Sequence, residues 1–477
     1  MPTSQATTSR GEARAVDRRT CLVLVVALTL LAVALRAWYV ETHRLALFAG
    51  SDNTWYDGVA RSFAEGHWGR VAGRDGADVF SGRFPPAYPL VLALGQRLLF
   101  WMPATRAHQW TSVACGTAGV ACTVVLAWRL TITWTRAGRV LAAGVTGLLL
   151  AAHPLVIGAS GALMSEALSF TLSAAFLLLV DVVTSKPRRR APWLALGAVV
   201  SVAVLTRGEG LLFLGVPLAA LVWVHRRSPA TRTGLLAVLG AAVVVACAWS
   251  TVMSVAANRL VIVSTNSGSL VIGANCRTTL HGEGRGSWDA LCPPPDPREY
   301  SAELRRVLAR PGETAFGLEP QLGVELEAEL SRIQLRTGLE RAGDEPLTSL
   351  GTVPFRWARG LGLHSSALDR RLTFFEGRDP DVERAGERFH RVVLAALLGL
   401  AAALLLRRRG RPRHVDRALA PARRLLPAGL LSATWLVMLA ATYGSARFRQ
   451  PVEPVLATVV GLAVAALVAG RRRVDLT

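Results

Sequence analysis

The sequence predicts an all-α polytopic membrane protein: a bundle of about ten transmembrane helices with surface helices in its first outer loop. Three observations carry this reading. Apolar runs of about 16–23 residues recur along the chain, the length that crosses a hydrocarbon core of roughly 30 Å as a helix. The runs are continuous, not alternating, so their backbone groups are satisfied within helices and not between barrel strands. Arginine clusters fall at alternate gaps between the runs, as the positive-inside rule requires.

The 477 residues are 51% hydrophobic with a mean hydropathy of +0.36. The net charge of +21 does not indicate nucleic acid. The arginines sit in short loops beside the runs, and no basic domain interleaved with aromatics is present. Of the 54 basic residues only Lys186 is lysine, which reads as the coding bias of a GC-rich bacterium.

Charge parity orders the elements. Met1–Thr20 is polar and basic, and Arg18-Arg19 hold this tail in the cytoplasm, so Cys21–Val40 reads as an uncleaved signal-anchor. Arg36, near its outer end, is expected to snorkel toward the interface. Trp110–Trp128 enters to Arg129, Arg136 and Arg139, and Val140–Ile157 leaves. Glu166–Val183 returns to Lys186-Pro187-Arg188-Arg189-Arg190. Trp193–Thr206 leaves, and Gly210–Val224 returns to His225-Arg226-Arg227. Leu235–Ala257 leaves, Val392–Leu406 returns to Arg407-Arg408-Arg409, Leu425–Tyr443 leaves, and Val452–Ala469 returns to Arg471-Arg472-Arg473. Tyr88–Met102 would invert every later loop if it spanned. It is short and carries Gln96 and Arg97, so it is expected to lie on the outer surface.

These assignments divide the chain into a cytoplasmic tail 1–20, a transmembrane module 21–257 that includes an outer loop 41–109, a large outer loop 258–391, C-terminal spans 392–470 and a tail 471–477. Both termini are then cytoplasmic. Within the large loop, Leu322–Ala342 has the spacing of one amphipathic helix. Cys21, Cys115, Cys122 and Cys247 fall in apolar runs as packing residues. Cys276 and Cys292 share a polar loop and can pair if it is extracytoplasmic; spacing alone does not decide it.

The unusual polar residues converge on one side. Asp52, His153, Glu166, Arg207, Glu209, Arg447 and Arg449 all fall at the outer face, while the bilayer centre is nearly free of ionisable groups. That scarcity argues against an ion-coupled transporter. Asp52, in Ser51-Asp52-Asn53, is either part of a helix start or a carboxylate placed to take a proton from an interfacial hydroxyl. Glu166 opens a span, where the helix dipole favours a carboxylate. Arginines on the disfavoured side call for counter-ions: either Glu209, Glu453 and lipid headgroups, or phosphate oxygens. No glycine-rich phosphate loop, zinc-type His/Glu motif or Ser/His/Asp set is evident.

The ordered motifs resemble those of the multi-pass glycosyltransferases that use lipid-linked sugars, the GT-C fold superfamily that includes protein O-mannosyltransferases and the lipid A aminoarabinose transferase. The matching pieces are Asp52 with Tyr56, Ala60 and Gly66; Phe84-Pro85-Pro86-Ala87-Tyr88-Pro89; His153-Pro154; Met164-Ser165-Glu166; Leu205-Thr206-Arg207-Gly208-Glu209-Gly210; Asn266-Ser267-Gly268; and Ala446-Arg447-Phe448-Arg449-Gln450-Pro451. Gly208 stands where the family usually has Pro, and Phe448 where it has Tyr. The resemblance implies an inverting transfer of sugar from a polyprenyl-phosphate donor to an acceptor hydroxyl at the outer face of a bacterial plasma membrane. Asp52 would be the base and Glu166 a partner in the same cavity. Arg207, Arg447 and Arg449 would hold the phosphate, with Tyr56, Tyr88 and His153 lining the substrate site. The implied partners are the polyprenyl-phosphate-linked sugar, membrane lipid and a glycan, lipid or protein acceptor, with no nucleic acid. The sequence names no cofactor and leaves a divalent metal open, with no second acidic residue right beside Asp52 to hold one. The alternatives are a lipid-linked glycan flippase and a polymerase or ligase with a diphosphate-linked donor.

Overall fold

The computed structural model describes residues 3–43, 45, 47, 51–72, 78–308, 322–409 and 420–468. The predicted tail 471–477 lies outside the described residues. Helices dominate: α1 (Thr3–Thr42), α2 (Asp52–Glu65), α3 (Ala87–Leu98), α4 (Ala104–Leu130), α5 (Arg136–Ala151), α6 (Pro154–Gly161), α7 (Glu166–Ser185), α8 (Arg190–Val204), α9 (Gly210–Val224) and α10 (Pro229–Ala256) form the first part. The strands β1 (Arg70–Ala72) and β2 (Asp78–Phe80) form an antiparallel hairpin with Arg70 opposite Phe80. Beyond α10 come α11 (Ser267–Ala274), α12 (Arg277–Leu280), α13 (Ala302–Leu308), α14 (Gly323–Asp344), α15 (Pro346–Gly351), α16 (Val353–Gly360) and α17 (Ala367–Phe375). The last helices are α18 (Pro380–Arg409), α19 (Ala420–Ala441) and α20 (Glu453–Val468), with a 3₁₀ segment, Ala446–Val452, leading into α20.

Among the described residues, six helices are long and apolar enough to cross a membrane, or seven if the bent pair α5–α6 is one span. The protein is therefore a multi-pass helical membrane protein. α8 and α9 are apolar but have 15 residues each, about 22 Å of helix, so the count of ten is not reached on length. α3, with 12 residues, is about 18 Å long and too short to span. Its Gln96 Oε1 accepts from His108 Nε2 (2.9 Å), and Arg97 donates to Ala64 O, so both polar groups turn toward α2 and α4. Leu90, Leu94 and Leu98 stay exposed on the other side.

Two expectations are corrected. Val140–Ile157 is not one straight helix: the chain bends by 50° between α5 and α6. Pro154 has no N–H, so the Leu150 carbonyl loses its helical partner. Arg36 fills that gap, with Nη2 donating to Leu150 O (3.5 Å) and Nη1 to Ala32 O (3.1 Å). Arg36 is fully buried and does not snorkel. α18 starts at Pro380 and carries its charged first half ahead of the apolar run.

The core has two main layers. Leu126, Leu172, Phe176, Leu196, Val200 and Leu214 belong to one, and Leu28, Val120, Val124, Leu150 and Phe170 to the other. α4 sits between them, packed on α1, α5 and α7. At one end Asp181 accepts from Arg129 Nε (2.7 Å) and Arg424 Nε (2.9 Å), tying α4, α7 and α19. The opposite helix ends gather the site described below.

The α5–α20 contact is close because Gly461 has no side chain; a Cβ there would lie 2.4 Å from Ala142 O and 2.2 Å from Thr146 Oγ1. Gly461→Ala is expected to lower stability in detergent by about 1–3 kcal/mol through overpacking. Gly144→Ala, where a Cβ meets nothing within 4 Å, should be neutral or stabilising by up to about 1 kcal/mol. Thermal unfolding of the two variants side by side checks this, and equal effects would contradict the packing.

Candidate functional site

The site is built on helix ends. The α8–α9 turn carries Arg207, and it is tight: a Cβ on Gly210 would lie 2.1 Å from Ala203 O, so the turn needs glycine there. Glu166 opens α7, Asp52 opens α2, and Arg447 lies on the 3₁₀ segment before α20. Together they line or adjoin a cavity of about 550 Å³. Asp52, Tyr56, Arg83, Arg207, Glu376 and Arg447 are among its walls. A smaller, mostly apolar pocket of about 90 Å³ adjoins it, sharing Arg207, Glu209, Leu270 and Phe448 and reaching Leu172, Phe213 and Trp435 between the helices.

Arg447 is the hub. Its Nε donates to Glu166 Oε1 (2.7 Å), its Nη2 to Asp52 Oδ2 (3.0 Å) and its Nη1 to Glu376 Oε1. Arg207 Nη1 donates to the same Glu166 oxygen (2.8 Å) and to Ser165 Oγ (3.2 Å), while its Nε donates to Glu209. Burial alone would lower the Arg207 pKa, but the charges of Glu209 and Glu166 outweigh it and hold the guanidinium firmly protonated. Both guanidiniums lie against the Phe448 ring, 5.2 and 5.3 Å from its centroid, in cation–π range. Arg83, buried, stands 4.0 Å from Asp52 Oδ1. Tyr56 faces the cavity, and burial, reinforced by the Asp52 charge, pushes its hydroxyl well above the ordinary range, so it is a donor and not a base.

The structure separates three residues from this group. Tyr88 stands behind Tyr56, edge to face at 4.9 Å, and donates to Ser112 Oγ (3.1 Å) without lining the cavity. Arg449 donates to Glu453 Oε1 (2.5 Å) and Gly360 O (3.0 Å), fully buried and away from the cavity. The reason is local: a 3₁₀ helix turns about 120° per residue, so positions 447 and 449 face different ways. His153 lies with Arg449, its Nε2 3.4 Å from Glu453 Oε1. Arg449 thus takes the Glu453 pairing, and Arg207 takes the Glu209 pairing while staying in the site.

Sequence reasoning missed Glu376, Arg378 and Arg83. Arg83 immediately precedes the Phe84-Pro85-Pro86 motif, and its charge was the available signal. Glu376 and Arg378 lie beyond α17 in the large loop, where no motif marks them. Arg378 holds Glu376 by Nε (3.0 Å) and also pairs with Glu383. Burial pulls the Arg378 pKa down, but Glu383 and Glu376 raise it overall, fixing the charge that positions Glu376. Cys276 and Cys292 are joined in a disulfide, bracing the segment that places Trp288, Asp289 and Leu291 on the cavity wall.

α2 is anchored from the large loop. Trp55 Nε1 donates to Ser81 Oγ (2.8 Å), which donates to Glu327 Oε1 (2.6 Å) from α14. Glu327 Oε2 accepts from Gly82 N–H (2.8 Å) and Thr265 Oγ1 (3.0 Å).

No family model and no curated protein matches the chain. Among solved structures, it is similar to ArnT from Cupriavidus metallidurans in the apo state, at 16% identity and TM-score 0.40, covering 93% of this chain and 76% of that one. It is similar to the Archaeoglobus fulgidus oligosaccharyltransferase tethered with an acceptor peptide, at 14% identity and TM-score 0.46, covering 94% of this chain and 49% of that one. It is also similar to the arabinosyltransferase EmbB from Mycobacterium smegmatis, at 16% identity and TM-score 0.30, covering 93% of this chain and 43% of that one. The chain itself defines the class: an all-α, multi-pass membrane protein with a charged cavity at one end of its helix bundle.

Burial pushes the Glu327 carboxyl up to about 7, with the donors of Ser81, Gly82 and Thr265 pulling it back. A raised carboxylate stabilises the fold fully below its unfolded value, and the contribution is lost as pH rises through the folded one. The α14–α2 anchor should therefore weaken between about pH 5 and 8, by up to about 3 kcal/mol. Hydrogen exchange of residues 78–82 across that range should show increasing opening in wild type and a flat profile in Glu327→Gln. An unchanged pH dependence in the variant would contradict the assignment.

Proposed function

We propose that the protein is a membrane glycosyltransferase that moves a sugar from a polyprenyl-phosphate donor to an acceptor hydroxyl at the extracytoplasmic face. One observation carries the reading: Asp52 and two guanidiniums, Arg207 and Arg447, meet in one cavity that opens onto an apolar pocket between helices. A carboxylate beside a phosphate-binding pair is what such a transfer needs.

Arg447 and Arg207 would hold the donor phosphate in fork geometry and stabilise charge on the phosphate as the sugar bond breaks. The phosphate competes for donors now occupied by carboxylates. Arg447 engages Asp52, so a phosphate on Arg447 would free the Asp52 carboxylate to accept the proton of the attacking hydroxyl. Glu166, whose Oε1 takes both arginines, would keep the two forks side by side. The apolar pocket suits a hydrocarbon chain, and the walls from the large loop would face the acceptor. Inversion follows if the hydroxyl attacks opposite the phosphate. The motif order in the sequence points to the same chemistry.

Membranes supplied with labelled polyprenyl-phosphate sugar test the reading. Asp52→Asn should lower transfer by about 10²–10⁴-fold, with donor KM little changed. Arg447→Ala should raise donor KM as well as lower kcat, because it binds the ground-state phosphate. Transfer at the normal rate by Asp52→Asn, in protein of normal thermal stability, removes Asp52 as the base.

A further inference from the structure

A second cluster of ionisable side chains lies apart from the cavity and has no part in the proposed reaction. His153 precedes α6, His390 lies in α18, and Glu453 opens α20. They lie 63 to 300 positions apart in the chain, which is why no motif announces them. All three are at least 97% buried. None of the four ring nitrogens of His153 and His390 makes a hydrogen bond. Burying unpaired polar atoms is unfavourable by about 1–3 kcal/mol each, so two adjacent orphaned imidazoles need a reason.

The geometry points to a structural zinc site formed by His153, His390 and Glu453. His153 Nε2 lies 3.4 Å and His390 Nδ1 3.6 Å from Glu453 Oε1, and one ligand atom from each residue falls within 4.8 Å of the others. Ligands at about 2.0–2.1 Å around a tetrahedral ion sit about 3.3–3.4 Å apart. The observed separations match that edge and are too long for charge-assisted hydrogen bonds, which run about 2.7–2.9 Å. Two neutral imidazoles and one carboxylate form a ligand set suited to zinc. Water can supply the fourth position.

Arg449 fits as an outer partner. Its Nε donates to Glu453 Oε1 at 2.5 Å and its Nη1 to Gly360 O, so it orients the carboxylate as ligating carboxylates are commonly oriented. The site would tie the α5–α6 bend and α18 to the start of α20, immediately after the segment that carries Arg447. Its role is to fix that segment, and it does not depend on the reaction proposed above.

The test uses full-length protein with an affinity tag free of histidine, purified in detergent without chelator, equilibrated with Zn²⁺ and desalted. Elemental analysis should find about one zinc per chain, and at least about tenfold less in His153→Ala and His390→Ala. If those variants do not fold, wild-type protein loaded with Co²⁺ decides: tetrahedral visible absorption that Zn²⁺ abolishes supports the site. Wild-type protein holding less than about 0.1 zinc and showing no tetrahedral cobalt spectrum would overturn it. So would zinc retained in full by both folded variants.

Discussion

One guanidinium organises this end of the molecule. Arg447 holds carboxylates from the start of α2, the start of α7 and the large loop. Collecting buried carboxylates is unfavourable unless each is paired, and breaking such a pair from one side typically loses about 3–5 kcal/mol. Arg447 and Arg207 make the collection possible by sharing Glu166 between them. The rest of the structure serves this arrangement: α4 and its neighbours fix the helix ends, and the Glu327 network holds α2 against the large loop.

The same arrangement places chemistry under competition. Every nitrogen through which Arg447 could grip a phosphate already faces a carboxylate. An anion entering the cavity must exchange with one of them. Glu166 sits in the bundle with two arginines on it, whereas Asp52 and Glu376 are carried by α2 and the large loop. Exchange is therefore easiest at the two carboxylates that line the open cavity. In the proposed reaction, phosphate binding and release of the Asp52 carboxylate would then be one event, with no separate switch.

Much of this was legible in the sequence. The apolar runs gave the helices, since membrane spans need only length and apolarity. Charge parity placed Asp52, Glu166, Arg207 and Arg447 on one side, and they meet in the structure. Other features depend on geometry that one-dimensional spacing does not carry. By motif Arg449 is equivalent to Arg447, but the 3₁₀ turn sends it to Glu453. His153 lies at a span end like the others, yet the bend at Pro154 directs it to the same second cluster. Arg36 was expected to reach water and instead serves a carbonyl freed by that proline. Glu376 and Glu327 reach the site through Arg447 and the Ser81, Gly82 and Thr265 donors, all far away in the chain, and Arg378 acts through Glu376, so nothing local distinguished them from solvated charges.

The most direct measurement is an experimental structure of the protein with a polyprenyl phosphate bound. The account predicts phosphate oxygens about 3 Å from the guanidinium nitrogens of Arg447 and Arg207, the hydrocarbon chain entering the pocket beside Trp435, and Asp52 released from Arg447. A phosphate seated elsewhere, with Arg447 still bound to Asp52 and Glu376, would contradict it.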